Sequence, residues 1–107
     1  VGGVEAPPRP EYASAQSWFM YSVRLPDMRA RDAAVSALAG HGIETRLGFP
    51  PIHIQPYYRE RFGCRPENLP VALHAWQRKI DIPAWPGLPE ASQDEIVQVI
   101  KETLDRN

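Results

Sequence analysis

Proline stands at twelve of the 107 positions, about twice the usual share of ~5%. It gathers at Pro7–Pro10, Pro50–Pro56 and Pro83–Pro89. Each ring locks φ near about −65° and removes a backbone donor, so neither a long helix nor a central strand can run through it. A bundle of long helices is excluded, and many short, stopped elements are implied. The length suits one domain with one modest core. Twelve basic against thirteen acidic residues give a net charge of −1, which makes no electrostatic case for nucleic acid as a partner. A single cysteine excludes a disulfide scaffold and a cysteine-rich zinc module. No apolar run reaches a membrane span and the N-terminus lacks a signal-peptide pattern, so a cytoplasmic protein is expected. The chain opens on Val1 rather than methionine, as expected of a piece of something longer.

Residues 1–15 are rich in Gly, Pro, Ala and Ser without apolar period, and are expected to be a linker or frayed segment ahead of a domain over residues 16–107. From Trp18 to Leu25 the run is aromatic and β-branched, with Phe19, Tyr21, Val23 and Leu25 alternating onto one face, which predicts a strand ended by Pro26. Trp18 and Met20 fall on the other face, as in a central strand or a surface that docks on a missing domain. Asp27 stands as an N-cap before a helix whose thin stripe is Ala30, Ala33, Ala34, Ala37 and Leu38, stopped at Gly40-His41-Gly42. Alternation over Ile43, Thr45 and Leu47 predicts a second strand running to Phe49 and broken by Pro50-Pro51. A short helical turn follows around Tyr57 to Phe62, then a helix from about Pro70 with Leu73 and Trp76 on one side. Ile80 and Ile82 mark a third strand closed by Pro83. Ser92-Gln93-Asp94-Glu95 reads as a capping box for a last helix carrying Ile96, Val99, Ile100, Thr103 and Leu104. The fold class predicted is α+β, a small three-stranded, mainly antiparallel sheet with helices on one face.

Little in this pattern is catalytic by itself. His41, His53 and His74 have no ligand spacing, so no metal site is expected. Cys64 reads as an incidental loop residue between Gly63 and Arg65. The only lysines, Lys79 and Lys101, sit on a short strand and on the exposed side of the last helix, and neither reads as a desolvated Schiff-base lysine. Arg59, Arg61 and Arg65 interleave with Tyr57, Tyr58 and Phe62. This is either a stacking site for a nucleotide or a solvated turn with Glu60 as counter-charge and its aromatics turned into the core. Pro50 and Pro51 stiffen the chain ahead of His53, which is then either a cleft residue or a buried histidine bonded to backbone.

The densest signal is Phe49-Pro50-Pro51-Ile52-His53-Ile54-Gln55-Pro56-Tyr57-Tyr58-Arg59-Glu60-Arg61-Phe62-Gly63. It resembles the F-P-P-I-H-x-Q-P-[FY]-Y-R-E-R-F-G segment near the C-terminus of the DegT/DnrJ/StrS family, the pyridoxal-phosphate-dependent sugar aminotransferases. Gly42-Ile43-Glu44-Thr45-Arg46 is similar to the family's G-I-x-x-R, and Ile80-Asp81-Ile82-Pro83 with Trp85-Pro86-Gly87-Leu88 to its L-x-L-P-x-x-P-x-L turn. The resemblance spans roughly Ser17 to Leu104. It implies the C-terminal small domain of a fold type I enzyme that moves an amino group from an amino acid to a nucleotide-linked keto-sugar. Pyridoxal phosphate and its lysine would belong to a large domain of the same chain, with the parent a homodimer and this piece inactive alone. No catalytic or cofactor residue is implied here; Arg46, Phe49, His53 and Tyr57 are implied to face substrate. Leu73 and Cys64 depart from the family pattern. The alternative is a stand-alone α+β module binding a nucleotide or a partner through Tyr57 to Arg65.

Overall fold

In the computed structural model, which describes residues 2–106, the two strands are β1 (Tyr21–Arg24) and β2 (Lys79–Ile82). They pair antiparallel, with Tyr21 opposite Ile82, Ser22 opposite Asp81, Val23 opposite Ile80 and Arg24 opposite Lys79. Period-two alternation therefore gathers Tyr21, Val23, Ile80 and Ile82 on one face and Ser22, Arg24, Lys79 and Asp81 on the other. The helices are α1 (Met28–Gly40), α2 (Pro56–Phe62), α3 (Pro70–Arg78) and α4 (Glu90–Arg106), with 3-10 turns at Ile52–Ile54 and Pro66–Asn68. Three of these helices or turns open on the prolines that mark them, Pro56, Pro66 and Pro70, where a missing N–H costs nothing.

The apolar sheet face and two helices make the core. Val23, Leu25 and Ile80 meet Ala30, Ala34 and Leu38 of α1 and Ile96, Val99 and Ile100 of α4. The small side chains of the α1 stripe permit the close α1–α4 approach. Asp27 caps α1 as expected, its Oδ1 accepting from the Ala30 N–H at 2.8 Å. Arg31, which the stripe did not include, is also buried. It donates to the Trp76 carbonyl at 3.2 Å and lies over the Trp76 ring, tying α3 to α1.

The α+β class holds, and four expectations need correction. The sheet has two strands, not three. Residues 43–49 keep the expected alternation, with Ile43, Thr45 and Leu47 partly buried and Glu44 and Arg46 exposed, but their backbone pairs with the sheet through a single-residue bridge between Arg46 and Asp81 and not through a ladder. The reason lies at both ends of the segment. Gly42 takes a left-handed φ of 72°, and the Ile43 N–H closes the end of α1 on the Leu38 carbonyl at 2.9 Å while Gly42 bonds to Ala39 at 3.0 Å. This is a Schellman ending, which spends the Ile43 donor on the helix. At the other end Gly48 turns the chain with φ of 74°, and Pro50 and Pro51 have no donor to extend a ladder.

β1 is also shorter than the Trp18–Leu25 run, and Phe19 is 89% exposed rather than in the core. The Tyr21–Ile82 pair is the end of the ladder because Pro83 follows Ile82, so Phe19 lies beyond any partner. The last helix begins at Glu90, ahead of the expected cap, because the Pro89 carbonyl accepts the N–H groups of Ser92 and Gln93 at 3.0 and 3.1 Å. Glu90 then sits in the first turn, where its charge suits the helix dipole. Finally, α2 buries none of its residues, so its aromatics do not turn into the core.

Neither α2 nor α3 contains a fully buried residue. The stretch 49–69 folds on itself, turn against turn and α2 against the first turn, and reaches the body through α3 on α1. At the other edge of the sheet, Glu5 exchanges both backbone hydrogen bonds with Arg24 at 2.9 and 3.0 Å. Its carboxylate also meets Arg24 at 2.8 Å and Arg78 at 3.2 Å. Nothing in the composition of residues 1–15 announces that contact. No helix among the described residues is long and apolar enough to cross a membrane.

Candidate functional site

The four residues expected to face a substrate occupy different settings. Arg46 is held by its backbone: its N–H donates to the Asp81 carbonyl at 3.1 Å, and its carbonyl accepts from the Asp81 N–H at 2.7 Å. Its side chain is 80% exposed and, among the described residues, its ion-pair partner is Glu44, at 3.9 Å. The backbone is thus fixed while the guanidinium stands in solvent. Arg46 lines a groove of about 630 Å3 between residues 41–46 and the loop after β2, with Phe19, Tyr21, Ile43 and Trp85 among its walls. A guanidinium at the edge of an aromatic-walled groove suits an anionic ligand with a planar or sugar portion.

Phe49 follows Gly48 and is 91% exposed. Tyr57, 62% exposed on α2, packs edge-on against Tyr58 and Phe62 at centroid distances of 5.2 and 6.3 Å. Tyr58 and Phe62 stack on each other at 6.0 Å, and Arg61 lies over Phe62 at 5.2 Å. These rings touch one another while Tyr57 and Phe62 each stay 62% exposed.

His53 is only 6% exposed. Its Nε2 lies 3.0 Å from the Pro66 carbonyl oxygen. A carbonyl only accepts, so Nε2 carries a hydrogen and is the donor of this bond. That bond joins the Ile52–Ile54 turn to the Pro66–Asn68 turn. It is the buried, backbone-bonded arrangement weighed against a cleft contact. Neither His53, Phe49 nor Tyr57 lines the Arg46 groove; Arg46 and Phe49 are neighbours through the short Leu47-Gly48 link alone.

A group that the sequence reasoning passed over lies beneath that link. On the polar face of the sheet, Ser22 Oγ and Lys79 Nζ both donate to Asp81 Oδ1, Lys79 at 2.8 Å. The Asp81 side chain is 8% exposed, and its Oδ2 is buried with no donor among the described residues. The Lys79 amine runs across Gly48 so closely that a Cβ there would collide with Nζ, and it would lie 3.5 Å from Asp81 Oδ2. The available signal was the i, i+2 spacing of Lys79 and Asp81, which puts both on one face of a strand.

These placements also bear on a cofactor amine. Lys79 is engaged by Asp81 and closed over by Gly48, and Lys101 is exposed on α4. Neither lines the Arg46 groove or the neighbouring groove under Trp18 and Trp85. The lysines of this chain therefore do not fit the covalent attachment of pyridoxal phosphate.

Comparison with known proteins places this geometry in context. Residues 1–101 match the DegT/DnrJ/EryC1/StrS aminotransferase family. The chain is similar to the spore coat polysaccharide biosynthesis protein SpsC of Bacillus subtilis (strain 168), 26% identical over 92 residues that cover 82% of this chain and 24% of that protein. In fold it is similar to the aminotransferase TlmJ of Streptoalloteichus hindustanus, with a TM-score of 0.81 and 24% identity over 99% of this chain and 27% of that one. It is likewise similar to the putative sugar aminotransferase Spr1654 of Streptococcus pneumoniae in its PLP form, with a TM-score of 0.80 and 18% identity over 97% of this chain and 27% of that one. The chain thus spans about a quarter of the length of these proteins.

Proposed function

Because the chain belongs to the DegT/DnrJ/EryC1/StrS aminotransferase family, we propose that it is the C-terminal small domain of a pyridoxal-phosphate-dependent enzyme that aminates a nucleotide-linked keto-sugar. One observation carries this reading: the family match runs over residues 1–101, nearly the whole chain, while the chain spans only about a quarter of its relatives. The amine that holds the cofactor and the carboxylate on its ring nitrogen then belong to a large domain of the parent chain. The parent works as a cytoplasmic homodimer, and this domain alone does not transaminate. A free-standing module binding a nucleotide or a partner through Tyr57 to Arg65 is not favoured, since the family match takes in that stretch and nearly all the rest of the chain.

Within that reading the small domain supplies recognition. The Arg46 guanidinium, anchored through its backbone and otherwise exposed, offers a planar fork to a diphosphate. Phe49 and Tyr57 offer exposed ring surface to the sugar or base. His53 keeps the proline turn and the second 3-10 turn together through the Pro66 carbonyl, so it acts on substrate through the loop it braces. The cofactor, when bound to the large domain, carries the amino group between the two substrates. In the full-length enzyme, Arg46→Ala should raise KM for the sugar nucleotide about tenfold or more, with the half-reaction from the amino donor unchanged. Single-turnover measurement of the two half-reactions makes the test. Equal loss in both halves, or in neither, refutes the assignment of Arg46 to substrate.

A further inference from the structure

The polar face of the sheet contains an arrangement that costs stability. Asp81 is buried, yet one of its oxygens has no donor, and the other takes both Ser22 and Lys79. A buried carboxylate oxygen left unpaired is unfavourable and calls for a reason. All of these groups converge on one backbone position. The Asp81 backbone pairs with the Arg46 backbone by two hydrogen bonds, and the Lys79 amine and Asp81 Oδ2 lie where a side chain on Gly48 would begin. Gly48 itself has φ of 74°, where any side chain is strained, and its missing Cβ is the space the Lys79 amine fills. The turn at Gly48 sets the direction in which Phe49 and the two rigid prolines leave the sheet.

We propose that Lys79 and Asp81 are positioning residues for the substrate-facing segment: the ion pair is a fixed seat for the Arg46–Gly48 backbone and so determines where the Arg46 and Phe49 side chains are presented. Both act through that backbone: Asp81 also borders the Arg46 groove, but its carboxylate is committed to Ser22 and Lys79. This rests on the assignment of Arg46 and Phe49 to the substrate face. It explains why Lys79, although an amine on a strand, is not a candidate for covalent chemistry: its nitrogen is committed to Asp81 and closed in by Gly48. It also bears on the uneven donor pattern on Asp81, two on one oxygen and none on the other among the described residues. Oδ1 fixes the side chain to Ser22 and Lys79, while Oδ2 lies against a glycine that brings no side chain to it.

The test uses the full-length enzyme and two readouts. Hydrogen exchange on a peptide covering residues 45–49 reports the seat. Steady-state and half-reaction kinetics report its consequence. Lys79→Met, which keeps the stem and removes the charge, should lower protection of the 45–49 amides about tenfold while the β1–β2 amides are unchanged. It should raise KM for the sugar nucleotide about fivefold with kcat and the amino-donor half-reaction unmoved. Asp81→Ala should do the same, whereas Asp81→Asn, which keeps an acceptor for Ser22 and Lys79, should retain most of the protection and of the affinity. Full protection of residues 45–49 in Lys79→Met overturns the proposal whatever the kinetics. Lost protection with an unmoved KM also overturns it, and Arg46→Ala then locates the fault. If Arg46→Ala raises KM, the seat does not govern presentation; if it does not, the substrate-face assignment has failed and the positioning role falls with it.

Discussion

Replacing His53 by alanine separates a ligand histidine from one that braces a loop. The ring is 6% exposed and its Nε2 donates to the Pro66 carbonyl at 3.0 Å. Alanine removes that bond and leaves the carbonyl without its partner, at about 1 to 2 kcal/mol. The lost ring packing adds about 1 kcal/mol for a site that collapses only in part. The sum, about 2 to 3 kcal/mol, falls on the stretch 49–69, because its turns and α2 pack on one another rather than in the α1–α4 core. Every 1.4 kcal/mol is tenfold in an opening equilibrium, so exchange protection there should fall about 30- to 140-fold, or vanish where that stretch already opens at smaller cost. The amides to follow are Ile54, Gln55 and Asn68, bonded to the carbonyls of Pro51, Ile52 and Arg65. The Leu25 amide, bonded to Arg78 in the body, is the internal reference. His53→Gln places an amide nitrogen near the position of Nε2 and should restore much of the protection. Unchanged protection at Ile54, Gln55 and Asn68 with a raised KM for the sugar nucleotide would refute the brace and return His53 to direct contact with substrate.

Leu38 is fully buried where α1 meets α4, and Leu38→Ala should cost about 3 kcal/mol, read as a shift of the urea midpoint at constant m-value; a loss below about 1 kcal/mol would mean the two helices and the sheet do not share one core. Asp27→Ala removes the 2.8 Å bond to the Ala30 N–H and should cost about 1 kcal/mol in the same assay, with Asp27→Ser close to neutral.

The order of elements was legible in the chain wherever a local rule acts alone. Asp27 and Gly42 bound α1 through side-chain and left-handed caps, Pro56 and Pro70 open α2 and α3, and the alternation of Ile80 and Ile82 ends at Pro83. Each of these depends on groups a few residues apart, so the sequence contains the whole cause. The motif from Phe49 to Gly63 was legible too, as a family likeness, and the family match bears that out. What could not be read were outcomes of competition between distant groups. The alternation from Ile43 to Leu47 is real, yet no third strand forms, because the Ile43 donor goes to Leu38 and Gly48 turns the chain away. Phe19 alternates correctly and still misses the core, since its side of the ladder ends at Ile82. His53, which the family likeness sets facing substrate, is buried with its ring on the Pro66 carbonyl thirteen residues on, a partner that nothing local to either turn announces. Lys79 and Asp81 showed only their spacing. That they hold Gly48 follows from the bridge between Arg46 and Asp81, and a backbone pairing across thirty-five residues leaves no local trace in either segment.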